Sequence, residues 1–360
     1  MSERTMTYAA AELRRFCRFV FERLGVNRED ASVAADVLIR ADLEGTDSHG
    51  ISRLPIYAKR MKEGRIHANP AIAMKKTGES VLLVDGDNGL GPIVSVHACR
   101  QGMSIAKETG AAAVAVRGSN HFGAASYYCQ MACDQGLAAM VFTNSPPGIP
   151  PWGGARAFFG TNPIAFGFPT GTEAPVMIDM STSVVARGKI ILAAKQGQPI
   201  PKGWAINARG EETEDPEEAL AGAVLPVGGA KGCALSLAVE VLTGVLSGAA
   251  FGPHVQNLYN EDGGQANVGH FFLLLDVEKF MPLERFTHLM SVLLQEMKAV
   301  PRMPGVKEIL FPGERRAKER AERVSKGIRL PPEVEKELAA LGKELKVTFP
   351  KKLLLSRDQL

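Results

Sequence analysis

The feature that most restricts this chain's fold is a set of short apolar runs set between segments of helical periodicity. "VLLVDG" (Val81 to Gly86), "AAAVAVRG" (Ala111 to Gly118), "LAAMVFTNSP" (Leu137 to Pro146) and "HFFLLLD" (His270 to Asp276) have strand length and composition. "GPIVSVHACRQGMSIAKETG" reads as a helix, and "SNHFGAASYYCQMACDQG" as a loop feeding one. Strands alternating with helices build a sheet covered by helices, an α/β or α+β body. "AIAMKKTGESVLLVDGDNGLG" reads as two strands joined by Thr77-Gly78-Glu79, with Val81 to Val84 as a buried run.

The ends have a different texture. In "TYAAAELRRFCRFVFERLG", Leu13, Phe16, Cys17, Val20, Phe21 and Leu24 form one apolar stripe, stopped by Gly25. A second helix is expected from an Asn27 cap to Gly45. "GAKGCALSLAVEVLTGVLSGAAFG" reads as a long, buried apolar helix, and "LERFTHLMSVLLQEMKAV" as an amphipathic one. Beyond it the chain returns to charged helices; "GERRAKERAERVSKGIR" mixes both signs at helical spacing, as a solvated face does. We therefore expect a helical segment over residues 1–70, a central sheet-containing domain over 71–300, and a helical segment over 301–360 packing with the first.

Charge narrows the function classes. The 42 basic and 39 acidic residues leave a formal net charge of +3, with no basic block to suit nucleic acid. No apolar run approaches the roughly 18 residues a bilayer span needs, and the N-terminus lacks a signal-peptide core. Five scattered cysteines suit reduced thiols, so a cytoplasmic protein is expected. Cys129 and Cys133 lack the neighbours of a metal site, and no metal is expected.

Chemistry concentrates in "ADLEGTDSHGISRLP" (Ala41 to Pro55). The His49 imidazole can move a proton near neutrality. Arg53, one helical turn on, can grip a carboxylate through two parallel bonds. Together they suit a 2-hydroxy or 2-oxo acid. Pro55 interrupts a helix unless it sits in the first turn, with Ser52 as a cap and His49 in the preceding loop. Local sequence leaves a structural and a catalytic histidine equally open. Ser48 beside His49 suggests a hydrolytic pair, but neighbours on a helix point about 100° apart, and no G-x-S-x-G elbow occurs.

His121, in "GSNHFGA", sits where a strand gives way to a helix, a place where ligands collect; Ser119 or Asn120 is a candidate cap. Asp179 ends the run "VMIDMSTS" and can orient a histidine, receive cofactor hydroxyls or cap the next helix. "GDNGLG" lacks dinucleotide-fingerprint spacing. "GGAKG" (Gly228 to Gly232) offers N–H groups and the Lys231 ammonium to phosphate. "FPGE" (Phe311 to Glu314) offers a turn and a carboxylate.

These motifs, with "GTNPIAFGFP" and "PKGWAINARGEETEDP", occur in an order that resembles one family across roughly residues 8 to 320. It is the malate/L-lactate dehydrogenase family, separate from the Rossmann-type lactate and malate dehydrogenases. Its relatives include ureidoglycolate dehydrogenase, diketogulonate reductase, sulfolactate dehydrogenase and cyclic-imine reductases. The resemblance implies NAD or NADP bound on a central mixed, largely antiparallel sheet, a small 2-oxo or 2-hydroxy acid as partner, and a homodimer. It implies that His49 is the acid/base, Ser48 its neighbour in the pocket, His121 the second active-site histidine and Arg53 the carboxylate ligand, with Thr161 lining the substrate pocket. Ser145, Asp179, Met180, Ser181, Lys231, Pro312, Gly313 and Glu314 match positions that touch the dinucleotide. Glu44 departs from a position that is often basic, and "FTHLMSVLL" is looser than the usual pattern. Reduction of cyclic imino or keto-imino acids would use the same residues; a hydrolase or non-redox binding protein is the reading from another class.

Overall fold

The computed structural model describes residues 6–171, 174–260 and 264–354. Seven strands form the central sheet: β1 (Ala73–Gly78), β2 (Val81–Asp85), β3 (Ala111–Ser119), β4 (Leu137–Thr143), β5 (Ile164–Phe168), β6 (Val176–Met180) and β7 (Val268–Asp276). Their spatial order is β1-β2-β3-β7-β4-β5-β6. Only β2 and β3 run parallel; the other neighbours are antiparallel. A parallel pair needs a crossover, and helix α4 (Gly91–Thr109) supplies it. One such unit is far from a doubly wound sheet, so a glycine fingerprint has no crevice to serve.

The helices, in chain order, are α1 (Ala10–Arg23), α2 (Arg28–Leu43), α3 (Leu54–Lys62), α4, α5 (Ser126–Cys133), α6 (Arg187–Gln196), α7 (Pro216–Ala221), α8 (Ala230–Glu240), α9 (Leu283–Ala299), α10 (Glu314–Lys326) and α11 (Pro332–Leu345). Residues of α4 and α5, among them Val94, Cys99, Tyr128 and Cys129, bury one face of the sheet against Leu82, Val114, Val141, Phe272 and Leu274. Val81 and Leu83 stay exposed, so Val81 to Val84 alternates instead of being buried throughout. The reason is that the helices cover only one face there.

The expected stripe of α1 is buried at Leu13, Phe16, Cys17, Val20 and Phe21. It shares one core with Leu38, Ile51 and Tyr57 from the N-terminal region and Leu338 and Leu341 of α11. Each such large apolar side chain contributes about 1.5–3 kcal/mol by burial, so the two ends of the chain are held together by packing. Asn27 caps α2, accepting from the Asp30 N–H at 3.0 Å. The apolar stretch of α8 differs from expectation. It changes to a π-turn at Val241–Val245, and Leu235, Leu237, Val241, Val245 and Leu246 are exposed. A helix apolar all round is buried only when something covers each side, and one side here faces outward.

Candidate active site

The segment carrying His49 and Arg53 is two consecutive 3-10 turns, Asp47–His49 and Ile51–Arg53, instead of one α-helical turn. Pro55 falls in the first turn of α3, where its missing N–H costs nothing. Ser52 is not the cap; its Oγ donates to the Asp47 carbonyl at 2.7 Å. The turns are locked from below by Asp42, a buried carboxyl in the last turn of α2 that accepts from the Ile51 N–H at 2.7 Å. Burial and the nearby Asp47 carboxylate raise its pKa. Gly50 is required between the turns, because a Cβ there would lie 1.8 Å from Asp42 Oδ1. Asp42 and Gly50 thus set the direction in which the His49 and Arg53 side chains leave the backbone.

Arg53 Nε donates to the Ser48 carbonyl at 2.6 Å, tying the second turn back to the first. Its Nη1 donates to the Tyr259 hydroxyl. Ser48 Oγ lies 2.9 Å from His49 Nδ1. That contact departs from the 100° argument, because the segment is not an α-helix. It occupies Nδ1, while Nε2 has no hydrogen-bond partner among the described residues. No carboxylate hydrogen-bonds this imidazole among the described residues.

His121 comes from a different part of the chain. Beyond β3 the backbone continues irregularly to Ser126, so Ser119 and Asn120 do not cap α5. Asn120 instead donates to Asn88 Oδ1 and to the Asn88 and Gly89 carbonyls at 2.9–3.2 Å. Gly91 sits so close that a Cβ would meet the Asn120 carbonyl oxygen at 2.2 Å. "GDNGLG" is therefore the platform on which the His121 loop rests. Ser119 hydrogen-bonds His270 Nε2 at 2.8 Å, and His270, fully buried, stacks on Phe122 with ring centroids 4.5 Å apart. These contacts bring the His121 ring to 5.3 Å from His49, centroid to centroid.

Tyr57, four residues after Arg53 on α3, places its hydroxyl 2.5 Å from His121 Nδ1. Sequence reasoning missed it; the i, i+4 spacing from Arg53 was the available signal. Both histidines are neutral at pH 7. Burial, then the Arg53 charge, holds His49 down to about 4. Burial, then His49 and Arg53, holds His121 well below the ordinary imidazole range. The three side chains are thus close enough to act on one another's charge.

Asp179 makes no hydrogen bond to His49 among the described residues, and its charge favours the charged form of that imidazole. Its Oδ2 accepts from Arg316 of α10 and from the Ser126 N–H, each at 3.1 Å. It therefore caps α5, not the helix that follows it in sequence. The charged helix α10 is more than a solvated face: Arg316 holds Asp179, and Arg323 donates to the Asp42 carbonyl at 2.6 Å.

A second group of the candidate residues clusters at the same strand ends as the His121 loop, toward the β6 edge of the sheet. Ser145 Oγ accepts from the Thr161 N–H at 3.1 Å, and Thr182 donates through N–H and Oγ1 to the Thr161 carbonyl. Ser181 and Ser183 pair through their hydroxyls at 2.8 Å, beside exposed Met180. Ser236 of α8 bonds Thr182 at 2.9 Å, linking this group to the helix that begins beside Lys231. Lys231 is exposed and has no ion-pair partner among the described residues. Gly228 and Gly229, both at positive φ, precede it. A free ammonium in the first turn of an eleven-residue helix, with unsatisfied N–H groups beside it, fits a dinucleotide phosphate.

The 312–314 turn lies against β6: Pro312 accepts from the Met177 N–H at 2.8 Å. Glu314 pairs with Lys298 at 2.9 Å and Lys318 at 3.4 Å, so its carboxylate is already engaged. Among the described residues no group of three His, Cys, Asp or Glu is arranged to hold a metal.

The sequence model of the malate/L-lactate dehydrogenase family matches residues 8–339. The chain belongs to this family. Malate dehydrogenase of Pyrococcus horikoshii is 40% identical over 336 residues, 91% of this chain and 92% of that one. A solved malate dehydrogenase structure from the same organism has a TM-score of 0.88 at 36% identity, covering 97% and 98% of the two chains. The (2R)-3-sulfolactate dehydrogenase (NADP(+)) of Chromohalobacter salexigens is 40% identical over 321 residues, 89% of this chain and 93% of the other. The Δ1-piperideine-2-carboxylate reductase structure from Pseudomonas syringae has a TM-score of 0.83 at 31% identity, covering 94% and 100%. The fold of this family member, a largely antiparallel seven-stranded sheet with flanking helices, is the one expected, and the chain is an enzyme of this dehydrogenase group.

Proposed function

We propose that the enzyme transfers hydride reversibly between NAD or NADP and C2 of a small 2-hydroxy or 2-oxo acid. The observation that carries this reading is that His49 and His121 meet with ring centroids 5.3 Å apart, from two stretches of chain about 70 residues apart, with Arg53 tied to Ser48 beside His49. The nicotinamide supplies or takes the hydride when bound. Lys231, in the first turn of α8, would hold a phosphate of the dinucleotide, with Ser145 and Met180–Ser181 along its path.

The chain's own residues do the rest. Arg53 keeps N–H groups beyond those given to Ser48 and Tyr259, and these grip the substrate carboxylate and orient C2. Positioning of this kind supplies several kcal/mol of the barrier. Neutral His49, with Nδ1 held by Ser48, takes the hydroxyl proton on Nε2 during oxidation and returns it during reduction. His121, held by Tyr57 at Nδ1, faces the same oxygen and polarises it. Thr161 belongs to the substrate pocket in this reading, and Asp179 acts by its charge.

Reduction of a cyclic imino acid is the second reading. A C=N bond accepts hydride as C=O does, and the similarity to the piperideine-carboxylate reductase supports it. A panel of 2-oxo acids and cyclic imines, each with NADH and NADPH, separates the two; no absorbance change with any member would overturn both. We also infer a homodimer formed through the exposed apolar side of α8, around Leu235, Val241, Val245 and Leu246. Light scattering in solution tests it, and a monomer at micromolar concentration would refute it. A cytoplasmic location accords with five free thiols and with the absence of a helix long and apolar enough to cross a membrane among the described residues.

A further inference from the structure

The functional reading leaves one contact of Arg53 unused: its bond to Tyr259, a residue of the segment before β7 with more than half of its surface exposed. A hydrogen bond between an arginine and an exposed tyrosine is ordinarily worth little. Here the tyrosine is held in place from beneath by two arginines. Arg60 of α3 is 1% exposed and donates to the Leu258 carbonyl at 3.3 Å and the Gly264 carbonyl at 2.9 Å. Arg65 donates to the Asn260 carbonyl at 2.9 Å. Asn257 Oδ1 accepts from the Tyr259 N–H at 3.0 Å, closing an Asx turn around it.

Burying a guanidinium is costly unless it is well paired. Among the described residues Arg60 makes no ion pair, and its Nε has no partner at all. A buried cation spent on two backbone carbonyls, one on each side of Tyr259, makes sense if the position of Tyr259 matters. The donor count says what that position offers. Arg53 spends Nε on Ser48 and one Nη1 hydrogen on Tyr259, which leaves three N–H donors. Tyr259 accepts in that bond, so its own O–H remains to be donated beside the free edge of the guanidinium.

We propose that Tyr259 is a substrate-binding residue that donates its hydroxyl to the carboxylate held by Arg53, and that Arg60 is the positioning residue that presents it. This rests on the reading of Arg53 as the carboxylate ligand. The site takes a carboxylate next to a C=O or C=N carbon, so the contact serves both substrate classes. A lone arginine binds many anions, whereas the pair demands an acceptor in a defined direction.

The experiment uses Tyr259→Phe, which removes one exposed oxygen and leaves the fold alone, and Arg60→Lys. Oxamate, an unreactive 2-oxo acid mimic, is titrated into each protein by calorimetry, and steady-state constants are measured with the best substrate of the panel. Losing one hydrogen bond to a charged group predicts a 10- to 100-fold rise in oxamate Kd and in substrate KM for Tyr259→Phe, with kcat within about twofold. Arg60→Lys should raise KM in the same way, and the double variant should be no worse than the more damaged single one. Equal oxamate affinity and KM in wild type and Tyr259→Phe, or a tighter Kd because the tyrosine had blocked the arginine, would overturn the inference while leaving the role of Arg53 intact. If Arg53→Leu also leaves oxamate affinity unchanged, the underlying reading of the clamp falls with it.

Discussion

Replacing Arg53 by Leu tests two consequences of the geometry at once. The side chain has three N–H donors left for a substrate carboxylate, enough for two parallel charge-assisted bonds. Each is worth about 1.5–3 kcal/mol in a protein environment. Arg53 is half-buried, so the lower end applies, and the sum of about 3 kcal/mol corresponds to a loss of roughly 10²-fold in kcat/KM. The second consequence is electrostatic. His49 is held at about 4 by burial first and by the Arg53 charge second. Removing that charge lets the imidazole rise toward its ordinary value near 6.5. The free-enzyme profile of kcat/KM for hydroxy-acid oxidation requires neutral His49, so its acid limb should lie near pH 4 in the wild type. In the variant the limb should move upward, because the group now protonates at higher pH. Initial rates of reduced-cofactor formation between pH 4 and 8 give both quantities. A kcat/KM within threefold of wild type, together with an unmoved acid limb, would refute the assignment of Arg53 to the substrate and its proximity to the base.

Other substitutions probe the remaining parts. His49→Ala should lower kcat by about 10²–10⁴-fold while reduced cofactor still binds, as read by its fluorescence; unchanged turnover would remove His49 from the reaction. Tyr57→Phe deletes one oxygen and leaves His121 Nδ1 without its 2.5 Å partner; a buried lost bond of about 1–3 kcal/mol should lower kcat some 5- to 100-fold, and a change under twofold would show that His121 needs no such support. Gly50→Ala drives a methyl into the Asp42 carboxyl; overpacking should cost about 1–3 kcal/mol in urea unfolding and more in activity, since the two turns diverge, and a fully active, equally stable variant would contradict the locked geometry. Lys231→Ala should weaken cofactor binding about 10-fold or more without altering the acid limb, whereas equal affinity would place the phosphate elsewhere.

What could be read without coordinates follows from what local patterning records. Strands and amphipathic helices are periodic in sequence, so α1, α2, α4 and strands β1 to β4 and β7 were visible, as were the residue types suited to proton transfer and carboxylate binding. Burial of α8 was misjudged because apolar composition records an affinity for cover and not the identity of the cover. The Asp179 pairing was invisible for another reason: Arg316 lies 137 positions away, and no periodicity connects them. The same holds for Tyr259 and Arg53, 206 positions apart.

Sequence by itself therefore determined the elements, the family and the chemical inventory, because these depend on short-range periodicity and on residues present in a given order. Tertiary structure alone decided which inventory members meet. Asp42 and Gly50 aim His49 and Arg53, the Asn88–Asn120 platform delivers His121 to them, and Tyr57 fixes its ring. Such meetings are set by packing and hydrogen bonds between distant segments, whose free energy exists only once the chain has folded.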